Sequence, residues 1–149
     1  SWSSKNKNLK AYISFKELER LEANGASDII IAGEVKVPSL LIKLTGASDL
    51  KGRLTVSTLT VDLSGASDAR ISGTATEATI ECSGASDVKG FDLVTDNCTA
   101  KASGASEINI TVNRELNANA SGASDIYFKG TAVIRSHQNS GASNISRKK

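Results

Sequence analysis

Aromatic side chains are scarce: Phe, Trp and Tyr make up 4% of the 149 residues, with a single Trp. Methionine is absent, proline occurs once, and His137 is the only histidine. A core must therefore come from aliphatic and small side chains, and a pocket walled by aromatic anchors is not expected. One histidine excludes multi-histidine metal sites. An excess of one charge is also missing. Lys+Arg 18 against Asp+Glu 16 leaves +2, and no basic run is interleaved with aromatics, so the footprint of nucleic-acid binding is absent. The longest apolar runs, Ile29 to Ala32 and Leu40 to Ile42, fall far short of the ~18 residues of a membrane span. Cys82 and Cys98 are too few for a disulfide framework and have no metal-ligand spacing.

What is present suffices for one folded domain. Hydrophobic residues reach 39%, charged residues 23%, and there are 12 glycines, values that argue against disorder. The chain opens on Ser1 rather than Met, as it would after processing or truncation, and an export signal is not present in this chain.

One pattern dominates. Gly-Ala-Ser followed by Asp, Glu or Asn occurs seven times, starting at Gly25, Gly46, Gly65, Gly84, Gly104, Gly122 and Gly141. The intervals are 21, 19, 19, 20, 18 and 19 residues. Apolar residues alternate on both sides of the motif: Val61 and Leu63 before Gly65, Ala69 and Ile71 after it. Period two means strand, and helical repeats are longer, at roughly 33 to 47 residues. The spacing predicts a single-stranded parallel β-helix of about six to seven coils, with equivalent residues stacked ~4.8 Å apart. A right-handed winding is expected from the preference of parallel crossovers. Whether Ala or Ser of each motif faces the core stays open.

The ends should differ from the middle, because an open solenoid end needs a cap. Residues 1–10 read as a flexible segment. Residues 11–145 read as the β-helix domain, with 11–24 as its N-terminal cap or first strand. There Tyr12, Ile13, Phe15, Leu18 and Leu21 could cover the core, although Glu17 to Glu22 equally suits a short helix. His137 and Asn139 replace the Val61 and Leu63 of earlier coils, making the last coil polar, and 146–149 is a basic tail.

The S-G-A-S-D-hydrophobic pattern, and especially Ser121 to Gly130 and Ser140 to Ile145, resembles the putative auto-transporter adhesin, head GIN domain family of bacterial surface proteins. The resemblance runs from about Phe15 to Ile145. It implies a parallel β-helix, exported and placed at the cell surface, outer membrane or periplasm, with a surface glycan or protein as partner. It brings no catalytic residues and no cofactor.

The fourth motif position makes an acidic column: Asp28, Asp49, Asp68, Asp87, Glu107 and Asp125, ending in Asn144. Carboxylates at strand spacing repel by about 1 kcal/mol per pair in water. A Ca²⁺ column would offset this. So would Lys51, Arg70 and Lys89, two residues on and on the same strand face, and that charge-paired ladder is the favoured reading. For catalysis the irregular candidates are Asp92, Asp96, Arg114 and Glu115, but with no loop insertion breaking the repeat they read as solvated surface. Cys82 and Cys98, four positions out of register and ~13 Å apart, cannot form a disulfide. Thr58 and Thr60 are followed by Thr79 and Glu81, Thr99 and Lys101, then Asn117 and Asn119, one partial column rather than an ice-binding array. The expected function is a non-catalytic surface rod binding carbohydrate or protein. Its rivals are a polysaccharide-active enzyme of pectinase or lyase type and a fibre- or envelope-assembly module.

Overall fold

The computed structural model describes residues 2–4, 9–13 and 19–149. Eleven strands form one sheet in which every pairing is parallel. They are β1 (Trp2–Ser4), β2 (Leu9–Ile13), β3 (Arg20–Ala23), β4 (Ser27–Leu44), β5 (Asp49–Leu63), β6 (Asp68–Cys82), β7 (Asp87–Ala102), β8 (Glu107–Ala120), β9 (Asp125–Lys129), β10 (Val133–Asn139) and β11 (Asn144–Arg147). Each long strand bends around most of one coil, its ladder interrupted by register shifts at some bends, and the motif turns the chain into the next. The result is a β-solenoid of about seven coils. Among the described residues there is no helix.

The alternation read from the sequence is the alternation of burial. Before the motif, Leu40, Ile42 and Leu44 point inward, as do Leu59, Val61 and Leu63 one coil on; Ile29 and Leu50 line the inside after it. Each such side chain contributes roughly 1.5–3 kcal/mol by leaving water, but only because the next coil covers it. Size shifts along the rod. The positions of Val61 and Leu63 become Ala100 and Ala102, then Ala118 and Ala120, while the opposite wall gains Ile108, Ile110 and Phe128. Small residues on one wall make room for large ones on the other, which keeps the core filled.

The motif corner settles which way Ser and Ala point. Ser48, Ser67, Ser86 and Ser124 are fully buried, whereas Ala47, Ala66, Ala85 and Ala123 are exposed. A left-handed glycine, φ 75° at Gly65 and 71° at Gly84, turns the chain so that the hydroxyl residue enters the core. Its oxygen is satisfied there: Ser67 Oγ donates to the Ser64 carbonyl at 3.0 Å, and Ser67 N donates to Ser86 Oγ at 3.3 Å. The glycines also stack. Ala66 N donates to Gly46 O at 2.7 Å and Ala85 N to Gly65 O at 2.8 Å, an approach too close for any side chain between the coils.

Both ends are more ordered than the sequence suggested. Trp2–Ser4 pairs with β3, and β2, which begins at Leu9, pairs with β4, so the segment expected to be flexible carries paired strand at 2–4 and 9–10. The segment 20–23 is strand rather than helix. Phe15 and Leu18, expected to help cover the core, lie outside the described residues. At the other end Ser146 and Arg147 belong to β11 rather than to a free tail. Arg147 donates to the carbonyls of Gly130 and Ala132 and stacks 5.0 Å over the Phe128 ring. His137 and Asn139 pair with Ala118 and Ala120, as the register required, and β10 is exposed along its length.

Candidate functional site

The strand register builds two parallel columns on the face that follows each motif. Asp28, Asp49, Asp68, Asp87, Glu107, Asp125 and Asn144 stand opposite one another in successive coils. Two residues on, Ile30, Lys51, Arg70, Lys89 and Asn109 make the neighbouring column. Stacking raises the pKa of Asp49 above the usual carboxylate range, through partial burial first and the charges of Asp68 and Asp28 next, with Lys89 acting the other way. Asp87 is raised for the same reasons, by burial and by Asp68 and Glu107, again opposed by Lys89. The basic column therefore acts on the acidic one at a distance. The ion pairs within 4.0 Å among the described residues lie elsewhere: Arg20–Glu22, Lys36–Glu34, Arg53–Glu34 and Arg135–Glu115. Lys51, Arg70 and Lys89 close no such pair with Asp49, Asp68 or Asp87, so their charged ends remain available. Among the described residues no cluster of three or more His, Cys, Asp or Glu side chains is placed to hold a metal ion.

Beyond the basic column the coil bends, and here the repeat is broken. Pairing of β4 with β5 stops after Ile30–Lys51 and resumes at Glu34–Arg53, leaving two extra residues in β4. Pairing of β7 with β8 stops after Gly90–Ile110 and resumes at Val94–Thr111, leaving Phe91, Asp92 and Leu93 unmatched. Ile31 and Leu93 stay in the core, so the surplus is pushed out as Ala32–Gly33 and Phe91–Asp92. Between these bulges β5 and β6 run in unbroken register. The expectation of an uninterrupted rod without a pocket is thus corrected. A trough of about 810 Å³ lies over β5 and β6, continuous with a shallower hollow of about 330 Å³ along the acidic column. Both hollows share Ile30, Lys51, Arg70 and Lys89.

Sequence reasoning found the columns but missed the trough. The intervals of 21 and 20 residues reported surplus length in the first and fourth coils without saying at which bend it emerges. Of the irregular catalytic candidates, Asp92 lines the trough and Asp96, Arg114 and Glu115 do not; Glu115 is instead paired with Arg135 at 2.7 Å. His137 is exposed on β10, apart from all of them. The thiols of Cys82 and Cys98 are free and buried. Cys82 stands in register with Ala102, and Cys98 with Leu116; burial pushes the pKa of each up to about 12. The threonine column needs a shift of two residues. Thr60, not Thr58, pairs with Thr79, followed by Thr99 and Asn117, while Thr58 faces Glu77.

Two solved structures share this architecture. One is a putative adhesin from Bacteroides fragilis, 24% identical with a TM-score of 0.81, the likeness covering 88% of this chain and 61% of that one. The other is a putative lipid binding protein from Parabacteroides distasonis, 21% identical with a TM-score of 0.73, covering 89% of this chain and 63% of that one. This chain therefore spans less than two thirds of either protein, and the likeness is one of fold. No curated protein matches the chain in sequence. Residues 1–132, which take in the first six Gly-Ala-Ser motifs and both columns up to Asp125, match the family described as putative auto-transporter adhesin, head GIN domain, and the chain belongs to that family.

Proposed function

We propose that this chain is the non-catalytic binding rod of an exported bacterial surface protein, holding a glycan or protein ligand by its outer faces. The observation that carries this reading is the contrast between a filled interior and patterned exterior. From Leu21 to Ala132 the inside of the coils is occupied by packed side chains. The outside presents charged and polar columns at strand spacing, a form of surface suited to extended partners rather than to turnover of a small enclosed substrate. Family membership agrees with an adhesive role. The polysaccharide-cleaving alternative would want an acid and base brought together at one place. Here Asp92 and Asp96 fall on different parts of the coil, and the second carboxylate that reaches the trough beside Asp92 is Glu107, a member of the regular acidic column.

The test is a binding screen with the purified chain on immobilised glycans and intact cell surfaces, run beside an assay for new reducing ends on the same glycans. Saturable retention without cleavage supports the proposal. Cleavage products that vanish in Asp92→Asn would replace it with the enzymatic reading.

A further inference from the structure

The trough between the two bulges has a chemistry of its own. Three strand spacings separate β4 from β7, about 14 Å. Along that span Lys51, Arg53, Arg70 and Lys89 line the hollow, all of them exposed. Only Arg53 has an acidic partner, Glu34 at 4.0 Å. Asp92 and Glu107 stand at the β7–β8 end, and the half-buried Ile30 contributes to the lining at the β4 end.

We infer that this trough binds a short acidic oligosaccharide, its carboxylates or sulfates held by Lys51, Arg70 and Lys89. The inference rests on the surface-binding reading above and gives it a place and a ligand class. Unpaired cations at strand spacing select for anionic groups repeated along a chain, because charge-assisted hydrogen bonds are the strong ones. A bare polyanion would meet repulsion at Asp92 and Glu107. A sugar chain would not, since its hydroxyls donate to those carboxylates, and its C–H faces can lie against the half-buried Ile30. Nucleic acid would need several open stacking surfaces. The trough has one aromatic ring, Phe91, and Lys129 already sits 4.6 Å above it. An acyl chain would need an apolar tunnel, and the interior of the rod is filled.

The experiment is titration calorimetry of the intact chain with trigalacturonate, a sulfated heparin tetrasaccharide, neutral maltotriose and a tetraglutamate peptide. Two charge-matched variants are compared: Lys51→Gln/Arg70→Gln/Lys89→Gln in the trough, and Lys36→Gln/Lys43→Gln/Lys101→Gln elsewhere. Thermal melts first establish that both fold. The expected result is binding of trigalacturonate or the heparin fragment, no binding of maltotriose, and weakening by at least about tenfold in the trough variant only, the loss of one or more charged hydrogen bonds. The galacturonate and heparin arms distinguish carboxylate from sulfate. Equal weakening in both variants, equal binding of tetraglutamate, or no binding of either acidic sugar would overturn the site. If cell-surface retention persists in the trough variant, the rod is still a binding protein and this assignment alone fails.

Discussion

Two corners bound the face that carries the acidic and basic columns, and they are built by contrary rules. At the motif corner every coil places Gly, Ala, Ser and an acid, or Asn144 in the last, in the same four positions, with backbone hydrogen bonds from Ala N to the Gly carbonyl of the preceding coil at 2.7–2.8 Å. At the next corner Gly52 faces Ile71, Gly33 and Phe91 stand in bulges, and the register shifts in coils one and four. The first corner is crowded and leaves no freedom. The second is open at its bulges, where a Cβ on Gly33 would meet nothing within 4 Å, although one on Gly52 would stand 2.6 Å from Ile31 Cδ1. Stacked coils demand identity only where backbones touch. Where they bulge into solvent, a family of rods can vary and acquire a site.

The sharpest way to break this comparison is one substitution at two glycines. A Cβ on Gly84 would stand 2.5 Å from the Gly65 carbonyl oxygen, with φ at +71°; a Cβ on Gly33 would meet nothing within 4 Å, although φ there is +78°. Gly33→Ala should cost only the left-handed strain, roughly 1–2 kcal/mol. Gly84→Ala should cost that and a backbone displacement, more than about 4 kcal/mol, in the range reserved for severe lesions. Urea denaturation of both variants measures the difference. Equal losses would mean that the motif glycine serves conformation alone and that the coils can part to admit a methyl group.

The motif corner was readable in advance because it repeats. Seven copies in near-constant spacing gave the parallel solenoid, the vertical alignment of Asp49, Asp68 and Asp87, and the placement of Lys51, Arg70 and Lys89 beside them. Parity could not decide between Ala66 and Ser67, because a residue at positive φ breaks the alternation that parity assumes. The trough was hidden for a related reason. Interval lengths count surplus residues, but only the pairing of Glu34 with Arg53 and of Val94 with Thr111 locates them. The strand at Trp2–Ser4 escaped notice because three mostly polar residues carry no periodic signal. Arg147 read as tail because its role, hydrogen bonding to the Gly130 and Ala132 carbonyls, is set by the end of the rod rather than by local sequence.

A smaller effect separates the two small residues of the motif. Ser67→Ala removes a buried donor to the Ser64 carbonyl and a buried acceptor for Ser48 N, and should cost about 1–2 kcal/mol. Ala66→Ser, one residue earlier and exposed, should change stability by no more than about 0.5 kcal/mol. Chemical denaturation of the pair reads this directly. A loss at residue 66 comparable to that at 67 would mean that the corner is packed on its outer side as well, and that exposure there is a poor guide to tolerance.

The smallest expected effect is a gain, and it tests how the two columns share the face. Asp49 and Asp87 both have raised pKa values in the fold, by burial and by neighbouring carboxylates. A carboxyl whose pKa is higher folded than unfolded takes up protons on folding. Its favourable contribution is complete below the unfolded pKa and is lost as pH rises through the folded value. At pH 7 these two groups are therefore charged at a cost, eased but not cancelled by Lys89. Asp49→Asn/Asp87→Asn should raise the melting temperature at pH 7, by an amount worth at most about 1 kcal/mol because the groups are substantially solvated. Asparagine fits the corner, since Asn144 occupies that column in the last coil and its backbone N donates to the Ser124 carbonyl at 3.0 Å as its acidic counterparts do. The gain should shrink as pH falls through the carboxylate range, and again in 1 M salt, where screening acts over ~3 Å. A double variant that is less stable than the parent at pH 7 would reverse the argument. It would mean that the cationic column, or a bound cation, holds the carboxylates more tightly than they repel one another, and that the face is bound together by charge rather than strained by it.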